Sequence, residues 1–218
     1  MRRERVVFGG TFDPPHLGHM AVISGLRQKL GVPVLVVPNG RPPHREAPGA
    51  SAQARLRLLR LAVAELGDPL VSVSDVEVRR GGPSYTADTL EQLQAEAPAA
   101  GLLIALGSDA AATLPEWERV DVVLRLARLV VFDRSGVEQR AAGVISDLRL
   151  AGYPLLDALA VEVMAPELEA SEIRERLVAG SDCSEQLARA VWSEIRREGL
   201  YRHGPGAVET DSGIIASA

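Results

Sequence analysis

Hydrophobic residues in this chain come in short runs, most of them continuous, separated by longer segments of mixed polarity. A continuous run of roughly four to eight apolar residues is typical of a strand covered on both faces, as in a parallel sheet. The runs lie at residues 5–8, 34–37, 70–76, 102–106, 129–132 and 160–163. The pattern therefore predicts six strands.

Between these runs, apolar residues recur at the spacing of one helix face. The clearest case is residues 51–66, where Leu56, Leu59 and Val63 form an apolar stripe and Ser51 is placed as the N-cap. The other segments with this pattern are residues 20–30, 86–96 and 116–127. Strands that alternate with helices predict an α/β fold, a doubly wound parallel sheet with helices on both faces.

The last third of the chain has a different pattern. Residues 135–158 are irregular in pattern and are assigned to no element. Two helices are predicted after them, over residues 172–178 and 185–198, with Ser171 and Ser184 as their N-caps. This part of the chain therefore predicts a C-terminal helical segment.

The length of 218 residues is enough for one substantial core. We interpret residues 1–202 as a single domain. Residues 203–218 are rich in Gly, Ser and Ala and carry little charge, which predicts a flexible C-terminal tail.

Composition narrows the function mainly by exclusion. The chain has a net charge of −5 and no basic block, which argues against a nucleic-acid groove. No apolar run approaches the roughly 18–20 residues of a membrane span. Arg2 and Arg3 precede a strand rather than the apolar core of a signal peptide. We therefore expect a cytoplasmic protein without nucleic-acid or membrane partners, and we expect the single Cys183 to be a buried apolar residue.

The segment richest in candidate chemistry runs from residue 9 to residue 19. It follows the first strand and contains His16 and His19, which would lie on one face of a helix that starts at His16. The free N–H groups of a first helical turn attract phosphate, and the neighbouring glycines allow close approach. The alternative is a plain strand–turn–helix corner with solvated histidines. Two of the four histidines sit in this corner, which favours a site.

Four further segments carry polar groups near predicted strand ends or helix starts. In parallel sheets, ligands bind beyond the carboxyl ends of the strands. Taken singly, each segment also fits an ordinary role as a solvated loop, a capped turn or a buried tryptophan. The segments are residues 38–45, 83–89, 107–117 and 171–174. The last is the most telling, because an arginine three residues after an N-cap serine is well placed for a polyphosphate.

Residues 9–19 match the G-G-x-F-D-P-x-H-x-G-H form of the H-x-G-H signature, and the chain thereby resembles the nucleotidylyltransferases, whose sheet is Rossmann-like. Residues 171–174 resemble the late S-x-x-I-R element of that superfamily, which is one residue shorter here and reads S-x-I-R. Other features resemble the branch that acts on nicotinate mononucleotide, over about residues 5–202. They are Pro38-Asn39, Pro42-Pro43-His44-Arg45, Pro83-Ser84-Tyr85-Thr86, Gly107-x-Asp109, Leu114-Pro115-x-Trp117, Arg134 and Gly199-Leu200-Tyr201-Arg202.

The resemblance implies that an adenylyl group passes from ATP to nicotinate mononucleotide, giving nicotinate adenine dinucleotide and pyrophosphate in NAD biosynthesis. It implies that His16 and His19 act near the α-phosphorus, while Ser171 and Arg174 hold the leaving phosphates. ATP would arrive with Mg²⁺, and no metal site of the protein's own is implied. The residues implied for ATP are Gly9, Gly10, Thr11, Gly18, Gly107 and Asp109. Those implied for the mononucleotide are Asn39, His44, Arg45, Thr86, Trp117 and Arg134, with Trp117 stacking on the ring.

The chain departs from the resembled pattern in two places. Glu169 stands where the late signature usually has a serine, so one hydroxyl contact is lost and the carboxylate is expected to point away from the triphosphate. Residues 135–158 also match poorly.

Three other readings stay open at this point. The acceptor of the adenylyl group could be nicotinamide mononucleotide or phosphopantetheine. A nucleotide-binding regulator without catalysis is a second reading, although it would not need the histidines, Ser171 and Arg174. The third is a metal-dependent hydrolase that uses His16 and His19 as ligands, although no third ligand stands at a recognisable spacing. A homo-oligomer is compatible with the sequence.

Overall fold

The structure is a computed structural model, and it describes residues 3–42, 48–134, 140–155 and 157–202. Its strands form a six-stranded sheet, as the apolar runs predict. They are β1 (Arg3–Gly10), β2 (Val34–Pro38), β3 (Val71–Val73), β4 (Ala100–Gly107), β5 (Ala127–Arg134) and β6 (Leu159–Val163). Each covers at least part of one predicted run.

The strand order is β3-β2-β1-β4-β5-β6, and every pair is parallel. The chain starts in the middle of the sheet and winds outward first to one edge and then to the other, so Val6 of β1 pairs with both Val34 and Leu103. The predicted Rossmann-like doubly wound fold is confirmed. The strand order reverses between β1 and β4, and sheets wound in this way bind ligands at the carboxyl ends of the two strands at that point.

Helices cover both faces of the sheet. They are α1 (Leu17–Leu30), α2 (Ala52–Leu66), α3 (Val76–Arg80), α4 (Thr86–Glu96), α5 (Ser108–Ala112), a 3-10 turn (Leu114–Glu116), α6 (Val120–Leu126), α7 (Ala141–Leu150), α8 (Ala170–Val178) and α9 (Arg189–Glu198). Helices α1, α2, α8 and α9 pack on one face, while α3 to α7 pack on the other. Successive strand residues point to opposite faces, so Val6 and Phe8 join the first core and Val7 joins the second.

Three expectations about the helices need correction. Residues 135–158 contain α7, whose first N–H groups include that of Ala141, bound to the Asp133 carboxylate at 2.8 Å. Ser184 does not cap α9, because that helix begins only at Arg189. The Glu65 carboxylate on α2 accepts from the backbone N–H groups of Arg189 and Ala190. Caps supplied by another element leave no local signal in the sequence.

The third correction concerns Ser171, which lies in the first turn of α8 rather than at its cap. Glu169 holds the cap position with extended backbone angles, φ −114° and ψ 131°. The Ser171 hydroxyl donates to the Glu169 carboxylate at 3.3 Å, so it does not accept a backbone N–H as a capping serine would. Short helices α3 and α5 have no counterpart in the predicted pattern.

Three further expectations concern Cys183, membrane-spanning helices and the C-terminal tail. Cys183 is buried, as predicted. None of the helices within the described part of the chain is long and apolar enough to cross a membrane. The predicted tail at residues 203–218 lies outside the described residues.

Candidate active site

The corner between β1 and α1 is built around two histidines that cap one helix together. His16 is the N-cap of α1, with φ −128° and ψ 171°, and His19 is the third helical residue. The Nδ1 atom of His16 accepts the backbone N–H of His19 at 3.3 Å, and the Nδ1 atom of His19 accepts the backbone N–H of His16 at 3.2 Å. Each histidine therefore satisfies one of the free donors at the start of the helix.

This reciprocal capping fixes the tautomer of both rings. A neutral imidazole has one N–H donor and one acceptor, so an Nδ1 that accepts a hydrogen bond leaves the proton on Nε2. The two rings stack with their centroids 3.6 Å apart, and His19 also meets the edge of Phe12 at 5.0 Å. The corner therefore presents two fixed Nε2–H donors, as an anion-binding site requires.

Burial and nearby positive charge keep both rings neutral. Burial is the main cause that lowers the pKa of His16 to about 4, and the positive charge of Arg134 lowers it further. The pKa of His19 lies well below its usual value for the same reasons, with His16 as an additional cause. At neutral pH both histidines are therefore uncharged, and each keeps one N–H to donate to a phosphate oxygen.

Arg134 stands at the carboxyl end of β5, where its charge acts on the histidine pair. Sequence resemblance assigns it to the mononucleotide. The same charge also lowers the pKa of His16 and His19, which the resemblance assigns to the phosphates.

Glycines are needed at two positions of this corner. A Cβ on Gly18 would lie 3.0 Å from His16 Nδ1 and 3.1 Å from the carbonyl oxygen of Pro166. A Cβ on Gly10 would lie 3.0 Å from the Phe12 ring. Gly9, by contrast, has no neighbour closer than 3.9 Å and stays exposed at the end of β1. The first two glycines allow the packing of the corner, while Gly9 leaves open space beside it.

Helix α8 brings a guanidinium to the same corner. Ile173 is buried and anchors the helix, and the next residue, Arg174, donates from Nη1 to the main-chain oxygen of Asp13 at 2.8 Å. The same nitrogen lies 3.6 Å from the Asp13 carboxylate. Ser171 is exposed in the first turn of α8. Thus the fold brings Arg174 to the segment that contains His16 and His19.

Sequence reasoning missed Asp13 as an organising residue, although it lies inside the matched motif. Its buried carboxylate accepts from the backbone N–H of Gly49 at 2.7 Å, from that of Ala50 at 3.1 Å and from the Tyr201 hydroxyl at 2.9 Å. Three segments far apart in sequence meet on this one carboxylate.

Arg55 was missed as well. It lies on α2, is 1% exposed, and donates to the carbonyl oxygens of Thr11 at 2.7 Å, Gly40 at 3.0 Å and Ala50 at 3.2 Å. It thereby ties the loops after β1 and β2 to the start of α2. A signal was available, because Arg55 stands three positions before Leu58 on the apolar face of the helix, where a charge needs partners.

The loop after β2 is held against the segment before α4. The Asn39 N–H donates to the Gly10 carbonyl at 2.9 Å, and the Ser84 hydroxyl accepts the backbone N–H groups of Gly40 and Arg41. Thr86 is the first residue of α4, with Tyr85 at the cap position. His44 and Arg45 lie outside the described residues.

The segment after β4 is more open. Gly107 ends β4 and caps α5, and Asp109 is exposed, with its carboxylate 2.9 Å from Arg140. Trp117 is half-buried against the core under α3 to α7, and its indole N–H donates to the Thr113 hydroxyl at 3.3 Å. Among the described residues, no group of three or more His, Cys, Asp or Glu side chains could hold a metal ion.

Comparison with known proteins agrees with this geometry. The model of the cytidylyltransferase-like family matches residues 7–176. A protein of Serratia proteamaculans named "Probable nicotinate-nucleotide adenylyltransferase" is 38% identical over 209 residues, which cover 90% of this chain and 94% of the relative. A relative with the same name from Aeromonas salmonicida is 36% identical over 208 residues, which cover 90% of this chain and 96% of the relative.

Solved structures share the fold. The nicotinic acid mononucleotide adenylyltransferase of Plasmodium falciparum complexed with NaAD has a TM-score of 0.69 and 16% identity, covering 92% of this chain and 98% of that one. The same enzyme complexed with APC has a TM-score of 0.67 at the same identity and coverage. At this identity the likeness supports the fold.

Proposed function

Because the chain belongs to the nicotinate-nucleotide adenylyltransferase family, within the cytidylyltransferase-like fold, we propose that it joins ATP and nicotinate mononucleotide. The products are nicotinate adenine dinucleotide and pyrophosphate, in NAD biosynthesis. The observation that carries this proposal is the reciprocally capped pair His16 and His19, which offers two neutral Nε2–H donors at the carboxyl end of β1.

In the proposed reaction, a 5′-phosphate oxygen of the mononucleotide attacks the α-phosphorus of ATP. A new P–O bond forms, the bond to the β-phosphate bridging oxygen breaks, and pyrophosphate leaves with that electron pair. Such a transfer needs alignment and charge stabilisation rather than covalent help from the protein. The Nε2–H groups of His16 and His19 donate to α-phosphate oxygens, where negative charge must be stabilised in the transition state.

The leaving pyrophosphate is proposed to bind to helix α8 rather than to the histidines. Arg174 and the first turn of α8 supply a guanidinium and free N–H groups, which suit β- and γ-phosphates. Ser171 contributes its hydroxyl once that group turns from Glu169. Thr11 and the backbone at Gly9 and Gly10 are proposed to contact the phosphates of ATP as well.

Mg²⁺ is proposed as a companion of ATP. The side chains proposed to contact the phosphates are histidines and an arginine, which lack the oxygen ligands that Mg²⁺ prefers. The ion would therefore be held mostly by phosphate oxygens and water. The ion neutralises part of the triphosphate charge. Glu169, at the cap of α8, carries a carboxylate beside Ser171, with 3.3 Å between Ser171 Oγ and its Oε2.

The remaining candidates are assigned to the two nucleosides. Gly107 and Asp109 are proposed for adenosine. Those proposed for the mononucleotide are Asn39, His44, Arg45, Thr86, Trp117 and Arg134, with Trp117 stacking on the pyridine ring. A cytoplasmic location and a homo-oligomeric state stay predictions.

The deciding experiment measures pyrophosphate release from Mg·ATP with nicotinate mononucleotide, nicotinamide mononucleotide and phosphopantetheine offered in parallel. A strong preference for nicotinate mononucleotide is the expected result. Preference for another acceptor would retain the phosphate chemistry and overturn the acceptor assignment. ATP binding without release for every acceptor would favour the regulator instead.

A further inference from the structure

The Asp13 carboxylate connects the phosphate corner to the C-terminal turn of the described chain. It is 4% exposed, and its three hydrogen-bond donors come from the segment before α2 and from Tyr201. Oδ2 accepts from Gly49, while Oδ1 accepts from both Ala50 and Tyr201. The carboxylate is therefore fixed in orientation as well as in position.

Arg174 depends on the same residue. Its Nη1 lies 2.8 Å from the main-chain oxygen of Asp13 and 3.6 Å from Oδ2. Its Nε and Nη2 donate to no protein acceptor in the part of the chain that the structure describes. One edge of the guanidinium is thus held by Asp13, and the other nitrogens stay available to an anion, which a guanidinium binds best through two parallel hydrogen bonds.

Tyr201 reaches Asp13 through an unusual turn. Gly199 ends α9 with φ +68°, and Tyr201 itself has φ +62°, a left-handed conformation that non-glycine residues rarely adopt. A side chain held in such a conformation needs strong local contacts, and here the ring is buried in the core while the hydroxyl donates to Asp13. Burial and the Asp13 charge raise the pKa of the phenol well above its usual value, so the hydroxyl remains a donor.

We propose that Tyr201 is a positioning residue for the phosphate site: its hydroxyl fixes Asp13, and Asp13 in turn orients Arg174 toward the triphosphate. The proposal rests on the proposed function, in which Arg174 holds the leaving phosphates. It makes the turn after α9 part of the phosphate machinery, although Tyr201 itself is buried.

The test uses Tyr201→Phe in the full-length chain, which removes one hydroxyl and keeps the ring. The Asp13 carboxylate retains its two backbone donors, so we expect the fold to persist. Because a hydrogen bond to a charged group is lost, kcat/KM for ATP should fall by about 5- to 10-fold, while KM for nicotinate mononucleotide should change by less than about twofold. Tyr153→Phe is the matched control, since Tyr153 packs in the other core.

A double-mutant cycle with Arg174→Ala separates positioning from general stability. If Tyr201 acts through Arg174, Tyr201→Phe should change kcat/KM for ATP by less than about twofold in the Arg174→Ala background. If the double variant instead loses kcat/KM for ATP by the product of the two single losses, the proposal is overturned. A Tyr201→Phe enzyme with a normal kcat/KM for ATP would overturn it as well.

The four proteins of this cycle are the wild type, Tyr201→Phe, Arg174→Ala and the double variant. They should be titrated with Mg·ATP by calorimetry in the absence of an acceptor. The expected result is weaker ATP binding in Tyr201→Phe and no further weakening when Arg174 is already alanine. This measurement does not need turnover. Failure of the wild-type protein to release pyrophosphate would therefore count against the proposed reaction, whereas an additive pattern of ATP affinities would count against the role of Tyr201.

Discussion

The candidate site has two sides that differ in how much of each is fixed in the absence of a ligand. On the phosphate side (Asp13, His16, His19 and Arg174), the histidines cap one helix reciprocally and the buried Asp13 carboxylate is bound by three donors. On the nucleoside side (Asn39, Thr86, Asp109 and Trp117), the residues lie half-buried or exposed, and the described side-chain contacts are an exposed ion pair and one indole hydrogen bond.

This difference matches what the two sides must do in the proposed reaction. Charge develops around the α-phosphorus, so donors there are effective only when they are already oriented and need no reorganisation. Nucleosides gain affinity from stacking and a few hydrogen bonds, which form as the ligand binds. We therefore expect substitutions on the phosphate side to change folding or kcat, and those on the nucleoside side to change KM with little effect on folding.

The largest effect is expected from Asp13→Asn. The amide keeps one acceptor oxygen but places an NH₂ group among donors, and it removes the negative charge that faces Arg174 and Arg55. Breaking a buried ionic network of this kind costs about 3–5 kcal/mol. Urea unfolding of the variant and the wild type measures this loss directly.

Asp121→Asn provides the control for Asp13→Asn, since that carboxylate is exposed and lies 3.9 Å from Arg125. Its effect should stay below about 1 kcal/mol. An Asp13→Asn protein as stable as this control would mean that the phosphate side is not held by its buried carboxylate.

The sequence predicted the sheet and the histidine corner well because their signals are local. Continuous apolar runs identify buried strands whatever they pair with, and His16, Gly18 and His19 lie within four residues. Asp13 and Arg55 were missed because their importance comes from partners up to 188 residues away. The start of α9 was misplaced for the same reason, since its cap is Glu65 on α2.

The second largest effect is expected from His19→Ala. Loss of one oriented donor at the reacting phosphate should lower kcat by at least about 10². His19→Asn separates catalysis from capping, because its side-chain oxygen can still accept the His16 N–H while the ring donor is gone. Stopped assays of pyrophosphate release give the rates, and thermal unfolding gives the stabilities.

We expect His19→Asn to recover stability but not kcat. Leu17→Ala, at an exposed position of the same helical turn, should keep a rate close to that of the wild type. A normal kcat in His19→Ala would remove the histidine from the mechanism.

A smaller effect is expected when the pH falls. The folded state keeps His16 neutral down to about pH 4, whereas an unfolded histidine takes up a proton near its ordinary pKa of 6.5. Between pH 7.5 and 5.5 the unfolded state therefore binds more protons, and His16 should lower the free energy of unfolding by about 1.4 kcal/mol. His19 acts in the same direction.

Urea titrations at pH 7.5 and 5.5 on the wild type and on His16→Asn test this effect. Asparagine is also a good N-cap, so the helix start is retained while the titrating group is removed. The wild type should lose more stability than the variant as the pH falls. Parallel losses would show that burial of His16 does not govern the pH dependence.

The smallest effect on folding is expected on the nucleoside side, from Asp109→Asn. The exposed pair with Arg140 contributes little to stability, so the free energy of unfolding should change by no more than about 0.5 kcal/mol. Replacing a charged acceptor for a ribose hydroxyl by a neutral amide should nevertheless raise KM for ATP about fivefold. Measuring unfolding and KM on the same preparation tests both parts. A loss of stability comparable to that of Asp13→Asn would mean that the nucleoside side is as firmly built as the phosphate side, and the contrast between them would then have no basis in folding.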